Sequence, residues 1–310
     1  MHRTLFALFL LSAVCFAQPA SPPQSTPPSS PDDLVKQGEK LNADGKQDAA
    51  LALYNQALEK SPDLYEAHLD AGIAHDLKGE YAEARVHLSR ALELATIDDK
   101  PQAQRAMAMS YAFEGNADEA ARFEGQVFGV RLGKDDSIGA AEAANELARI
   151  YLESGGDVAN ASKWYKVGYD TALQKPGLTD ADKNLWLFRW EHAQARIAAR
   201  SGAADEARQH VAAAKAALDK ANNPDQARFF PYLTGYVAFY LGDYKTAIAD
   251  LQKADQRDPL ILVLLAESYE KSGNKVQATD YYRKALASSA HNPNNAFARP
   301  LARKKLAGGA

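Results

Sequence analysis

The chain has 310 residues, 46% apolar and 25% charged, which provides for a large buried core and excludes disorder throughout. A formal net charge of −4 and an isoelectric point near 6.0 exclude a protein held to nucleic acid by bulk charge.

The chain opens MHRTLFALFLLSAVCFAQ, with one Arg and one His ahead of an apolar run from Leu5 to Phe16 and small residues after it. That is the layout of a secretory leader. The run is about a dozen residues, short of the roughly 20 a membrane-spanning helix requires. No integral span is therefore expected, residues 1–17 are expected to be a signal peptide cleaved after Ala17, and the mature protein is expected to be periplasmic or extracellular. The only cysteine is Cys15. A lipid anchor at Cys15 is the alternative, and Val14 argues against it, because lipoprotein signals carry a small residue before the acylated Cys. Cleavage after Ala17 leaves no cysteine for a disulfide, a thiolate nucleophile or a metal. Residues 18–31, QPASPPQSTPPSSP, have nothing apolar to bury and read as a semi-extended linker, so the folded part is expected over 32–308.

From there the sequence repeats itself. DAALALYNQALEKSP (48–62) returns as AEARVHLSRALELAT (82–96) and as KTAIADLQKADQRDP (245–259). A Gly followed five residues later by an Ala recurs at Gly45/Ala50, Gly79/Ala84, Gly115/Ala120, Gly156/Ala161, Gly202/Ala207, Gly242/Ala247 and Gly273/Ala278. Seven residues before each Gly stands a small residue: Gly38, Gly72, Ala108, Ala148 (counted from Gly155), Ala195, Gly235 and Ala266. Twelve residues after come Ala57, Ala91, Val127, Gly168, Ala214, Ala254 and Ala285. Each Gly separates two apolar segments of helical period, so it is expected to end one helix in a left-handed turn. The small residues let two helix backbones approach closely. The glycines are 34, 36, about 40, 46, 40 and 31 residues apart, so the middle copies carry longer connections or longer helices such as 182–200.

This pattern resembles the tetratricopeptide repeat family, whose unit is a 34-residue helix–turn–helix. The resemblance rests on the small site, the turn Gly, the Ala pair, aromatics near the turn (Tyr81, Tyr111, Tyr151, Tyr244, Tyr269) and a closing Pro at Pro62 and Pro259. It implies an all-α, right-handed superhelical solenoid of about seven helix–turn–helix repeats, closed by a C-terminal capping helix within HNPNNAFARPLARKKL. It also implies a non-enzymatic protein-interaction scaffold, which the leader places in the bacterial envelope. Its concave groove, lined by the first helices of successive hairpins, would hold a peptide or partner protein. An accessory subunit of an outer-membrane, pilus or polysaccharide assembly machine is the alternative, and a carbohydrate-processing enzyme the second.

Carried onto this sequence, the groove register selects Arg189, His192, Arg196 and Arg200 in the fifth copy and Phe229, Tyr232, Tyr236, Phe239 and Tyr240 in the sixth, with Arg105, Met109 and Phe113 in the third. Cations beside aromatic rings suit an acidic or aromatic-bearing peptide, and a glycan stacks on the same rings. Against this stands packing: solenoid aromatics also fill the space between helices. The opposite side of the sixth copy's first helix, Pro231, Thr234, Gly235 and Ala238, is thin for a core, so a rotated helix would bury the tyrosines. The family's Lys, Asn and Arg grip on a C-terminal carboxylate has no counterpart in the first copy, where the matching sites are Val35 and Glu39. HExxH, a Gly-rich phosphate loop and Gly-x-Ser-x-Gly are missing from the sequence. No cofactor or metal is expected. His68 and His75 share a helix face about 10 Å apart, too far to ligate one ion, and are read as core residues.

Overall fold

The computed structural model describes residues 30–308. The leader, Cys15 and most of the Pro/Ser linker lie outside the described residues. The helices are α1 (Pro31–Ala43), α2 (Gln47–Lys60), α3 (Tyr65–Lys78), α4 (Tyr81–Leu94), α5 (Lys100–Glu114), α6 (Ala117–Gly133), α7 (Ser137–Ile150) and α8 (Val158–Leu173). They continue with α9 (Asp180–Arg200), α10 (Ala204–Ala221), the short α11 (Pro224–Ala227), α12 (Phe230–Tyr240), α13 (Tyr244–Leu251), α14 (Pro259–Lys271), α15 (Lys275–Leu286) and α16 (Pro293–Ala307). Among the described residues there is no strand, and no helix is long and apolar enough to cross a membrane.

Seven antiparallel hairpins follow one another: α1–α2, α3–α4, α5–α6, α7–α8, α9–α10, α12–α13 and α14–α15. All seven ruler glycines have positive φ, from 69° to 90°, and each sits at the turn of its hairpin. In four of them the next residue, Asn116, Asp157, Asp243 or Asn274, accepts a hydrogen bond from the backbone N–H three positions on, so one dipeptide closes a helix and caps the next. All the small sites before and after the glycines are buried. At Gly72 a β-carbon would fall 2.6 Å from the Leu88 side chain and 3.0 Å from the Ala84 carbonyl oxygen, which shows how closely α3 and α4 pack. Because each hairpin buries its apolar face only against its neighbours, the core is a chain of clusters running along the stack.

Pro259 differs from its expected role. It is the first residue of α14, where a missing N–H costs nothing, and Asp258 caps the helix. The fourth hairpin differs too. Its small site, Ala148, lies one residue further from the positive-φ glycine, Gly156, than in the other copies. The extra residue is absorbed by a π-helical turn over Tyr151–Gly155 that continues α7.

The expected closing helix is present as α16, and it does more than cover α14 and α15. It crosses to the first helices of earlier hairpins, packing on α5 and α7. Arg299 donates from Nε to the Leu77 carbonyl (2.7 Å) and from Nη1 to those of Leu286 (2.8 Å) and Ser288 (2.9 Å), and Arg303 also reaches Leu77 O. Leu77 lies in the last turn of α3, whose terminal carbonyls have no partner within the helix and carry the negative end of its dipole. Two guanidiniums from the far end of the chain therefore cap a helix of the second hairpin. Gly79 makes room for them: its φ is +90°, and the place a β-carbon would take is occupied by Arg303. Beside this contact, His291 Nε2 lies 2.9 Å from the buried Asp76 carboxylate, which also accepts from Ser110 Oγ (2.8 Å), and the His291 ring stacks on Phe113.

Candidate functional site: an arginine- and tyrosine-lined cavity on the inner helices

The first helices of hairpins four to seven enclose a cavity of about 430 Å³. Glu142, Glu146 and Arg149 come from α7, Arg189, His192 and Arg196 from α9, Tyr232 from α12 and Ile261 from α14. Asn294, in the first turn of α16, completes the wall: it accepts from Arg149 Nη1 (2.7 Å) and donates to Asp258 (2.6 Å), tying α7 to the start of α14. Of the residues expected on the groove, Arg189, His192, Arg196, Phe229 and Tyr232 are brought together here.

The two stripes do face each other across the repeat boundary. The Arg196 guanidinium lies 5.7 Å from the Tyr236 ring centre, and that of Arg200 lies 4.8 Å from the Tyr240 ring centre. Much of this meeting is packed rather than open. Tyr236 is fully buried and donates from its hydroxyl to Glu153 (2.9 Å), so it has no surface for a partner. Arg196, 2% exposed, donates from Nη2 to Tyr165 (2.6 Å) and stands 3.6 Å from Glu153 through Nη1. Arg200 is shared between Glu153 (3.2 Å) and the Tyr240 hydroxyl (2.7 Å). Phe239 and Tyr240 are partly buried against each other, ring edge to face. The rotated-helix alternative thus describes Tyr236. It holds only in part for Tyr232, which is buried yet lines the cavity. Arg189, with its guanidinium 4.5 Å over the Trp186 ring, and Phe229 are partly buried and keep some surface exposed.

In the third copy, Met109 and Phe113 correct the groove reading. Both are buried between α3, α5 and α16, because α16 takes the place a groove ligand would. Arg105 is held bidentately by Glu146, both bonds at 2.7 Å. Beside that pair lies Glu124, fully buried, neither of its oxygens with a hydrogen-bond partner. Burial, and then the Glu146 carboxylate, push the Glu124 carboxyl up to about 8, against an opposing pull from Arg105. The unfolded chain releases this proton near 4.5 and the folded chain holds it to about 8, so the stability the group contributes is complete below about 4.5 and is lost as pH climbs to 8. Glu124→Gln, which keeps the shape without the charge, is therefore expected to raise the melting temperature at pH 8 by several degrees and to change it little at pH 4.5. Equal shifts at the two pH values would count against a protonated Glu124.

His68 and His75 are joined by a third ring. His87 lies between them, its Nδ1 3.1 Å from that of His68 and its plane stacked on His75. Burial, then His68 and His75, lower His87 to about 4. Burial, followed by Arg196 and Arg149, likewise holds His192 well below 6.5, so the cavity presents a neutral imidazole. A larger recess of about 650 Å³ opens between α10, α12 and α13, lined by Val211, Val237 and Leu241. Its charged residues, Arg208 and Asp243, are already engaged by Asp205 and by the Thr246 N–H.

Glu153, Tyr165, Arg149, Glu146 and Asn294 were not expected from the sequence. One signal pointed to Glu153: the Gly155–Gly156 pair adds one residue to the repeat, and the π-turn it forces carries Glu153 into the interior.

A family model described as tetratricopeptide repeat matches residues 36–103 and 232–293. No curated protein matches the chain. Among solved structures, a tetratricopeptide repeat protein from Parabacteroides merdae ATCC 43184 is 14% identical with a TM-score of 0.50, over 89% of this chain and 97% of that one. The apo form of RapI is 12% identical with a TM-score of 0.57, over 90% of this chain and 99% of that one. Aspartyl phosphate phosphatase F from Bacillus subtilis is 12% identical with a TM-score of 0.57, over 82% of this chain and 69% of that one. At these identities the likeness is one of fold.

Proposed function

We propose that this tetratricopeptide repeat protein is a non-enzymatic interaction scaffold of the bacterial envelope, binding a peptide or partner protein on the inner helices of hairpins four to seven. The observation that carries this reading is the cavity itself. It lies where first helices converge, and α16 leaves it open while packing on α5 of the third hairpin and on the C-terminal end of α3. Binding rather than chemistry is supported by the state of its polar groups: Glu146 is paired with Arg105, Asp255 with Arg257, and Asp258 with the Leu260 N–H and Asn294. A carboxylate already held by a cation or a donor is a poor proton acceptor. The envelope assignment rests on the leader-like first 17 residues.

Crosslinking pull-down from envelope fractions tests the reading. Arg189→Glu and Phe229→Ala alter part-exposed residues of the cavity wall without cutting the buried network, and each is expected to lose partners that the wild type recovers. Recovery of the same partners by both folded variants would refute the site. Mass spectrometry of the mature N-terminus separately checks cleavage after Ala17 against acylation at Cys15.

A further inference from the structure

We infer that His68 and His87 form a site for a divalent transition-metal ion, bound between their Nδ1 atoms and clipping α3 to α4. Such a site is separate from the cavity and independent of the scaffold reading. Three of the chain's seven histidines meet in the second hairpin. His68 and His75 stand two turns apart on α3, and α4 brings His87 between them. The rings of His68 and His87 meet nitrogen to nitrogen, Nδ1 3.1 Å from Nδ1. His68 Nε2 lies 2.9 Å from the Pro62 carbonyl, which can only accept, so the neutral His68 ring carries its hydrogen on Nε2. Its Nδ1 is then a bare lone pair aimed at His87. A ring whose second nitrogen donates to a backbone carbonyl is the usual state of a metal-bound histidine.

In the metal-free chain the hydrogen on His87 Nδ1 fills the gap. An ion can replace it: two nitrogens at the usual zinc distance of about 2.0–2.1 Å, at a tetrahedral angle, lie about 3.3 Å apart, so the pair has to open by only about 0.2 Å. The displaced hydrogen moves to His87 Nε2, and the ring stays neutral. His75 positions the pair rather than joining it. Glu80 holds its Nδ1 (2.7 Å), and its ring is stacked on His87 with 5.6 Å between centres and 17° between planes, which braces that ring. Among the described residues no three His, Cys, Asp or Glu side chains are grouped to hold an ion, so water completes the coordination shell. His68 and His87 are both partly exposed, which admits the ion and its water. Two imidazoles with water suit Zn²⁺ and Cu²⁺, copper the more tightly.

Zn²⁺ titrated calorimetrically into the full chain is expected to occupy this site with a dissociation constant of about 10 µM. A hundredfold excess over that constant is expected to raise the melting temperature by about 5 °C. His68→Gln and His87→Gln are each expected to weaken binding at least about tenfold and to remove the thermal shift. His210→Gln, in another hairpin, is expected to leave both unchanged. Should either variant of the pair fail to fold, long-range ¹H–¹⁵N spectra of the wild-type imidazoles decide: Zn²⁺ is expected to shift the His68 and His87 Nδ1 resonances and to place both ring hydrogens on Nε2. No saturable binding up to millimolar Zn²⁺, undiminished affinity in both variants of the pair, a loss in His210→Gln matching theirs, or unmoved Nδ1 resonances overturns the site.

Discussion

Glu153→Ala is expected to destabilise the protein by about 3–5 kcal/mol, the usual consequence of leaving buried charge uncompensated. The Glu153 side chain is 4% exposed and faces two guanidiniums and a hydroxyl: Arg196 (3.6 Å), Arg200 (3.2 Å) and Tyr236 (2.9 Å). Glu153 belongs to hairpin four and its partners to hairpins five and six, so the substitution cuts a connection across two repeat boundaries. In a stack whose stability comes from nearest-neighbour interfaces, such a cut also reduces cooperativity. Urea denaturation followed by far-ultraviolet circular dichroism should show a lower midpoint and a shallower transition. A loss below about 1 kcal/mol would put Glu153 among ion pairs that contribute little. The same network explains why Arg196 and Tyr236 are poor positions for probing a partner: their replacement disturbs folding before it disturbs binding.

Arg299→Ala is expected to cost about 2–3 kcal/mol, since it removes a charged donor from three carbonyls, those of Leu286 at the end of α15, Ser288 just after it and Leu77 in α3. The location of the effect is more telling than its size. Leu77 is 222 positions away in sequence, so the prediction is lost amide protection at the C-terminal end of α3, measured by hydrogen exchange of a peptide spanning residues 69–80. Residues 182–195 of α9 should keep their protection. Unchanged exchange in the 69–80 peptide would mean that Arg303 alone suffices to hold α16 to α3. The contact also bears on binding. With α16 packed on α5 and reaching the end of α3, a ligand lying on the inner helices meets α16 at the third hairpin, and the open stretch is the one that holds the cavity.

The hairpins were legible because their determinants are local. A positive-φ turn needs glycine, and a close helix crossing needs a residue with little or no side chain. Gly79, Gly72, Ala84 and Ala91 state both requirements within one repeat, and each is used as read. The site was half legible. The periodicity that put Arg189, His192 and Arg196 on one face of α9 is a property of a single helix, and the structure keeps it. Whether such a face meets water or another hairpin is not local, which is why Arg189 keeps some surface exposed while Tyr236, Met109 and Phe113 are enclosed.

By itself, then, the sequence determined the repeat, its turns and its close-packed seams, since each depends on residues within about one repeat length. Only the tertiary structure decided what lies across the inner face. Glu153 turns inward because the π-turn has to absorb one extra residue where α6 and α8 already confine it. The Arg299 and Arg303 side chains find the end of α3 because the stacking of seven hairpins brings α16 back to the second of them. No helical period encodes a meeting between residues more than 200 positions apart. It follows from the accumulated rotation of every interface between them.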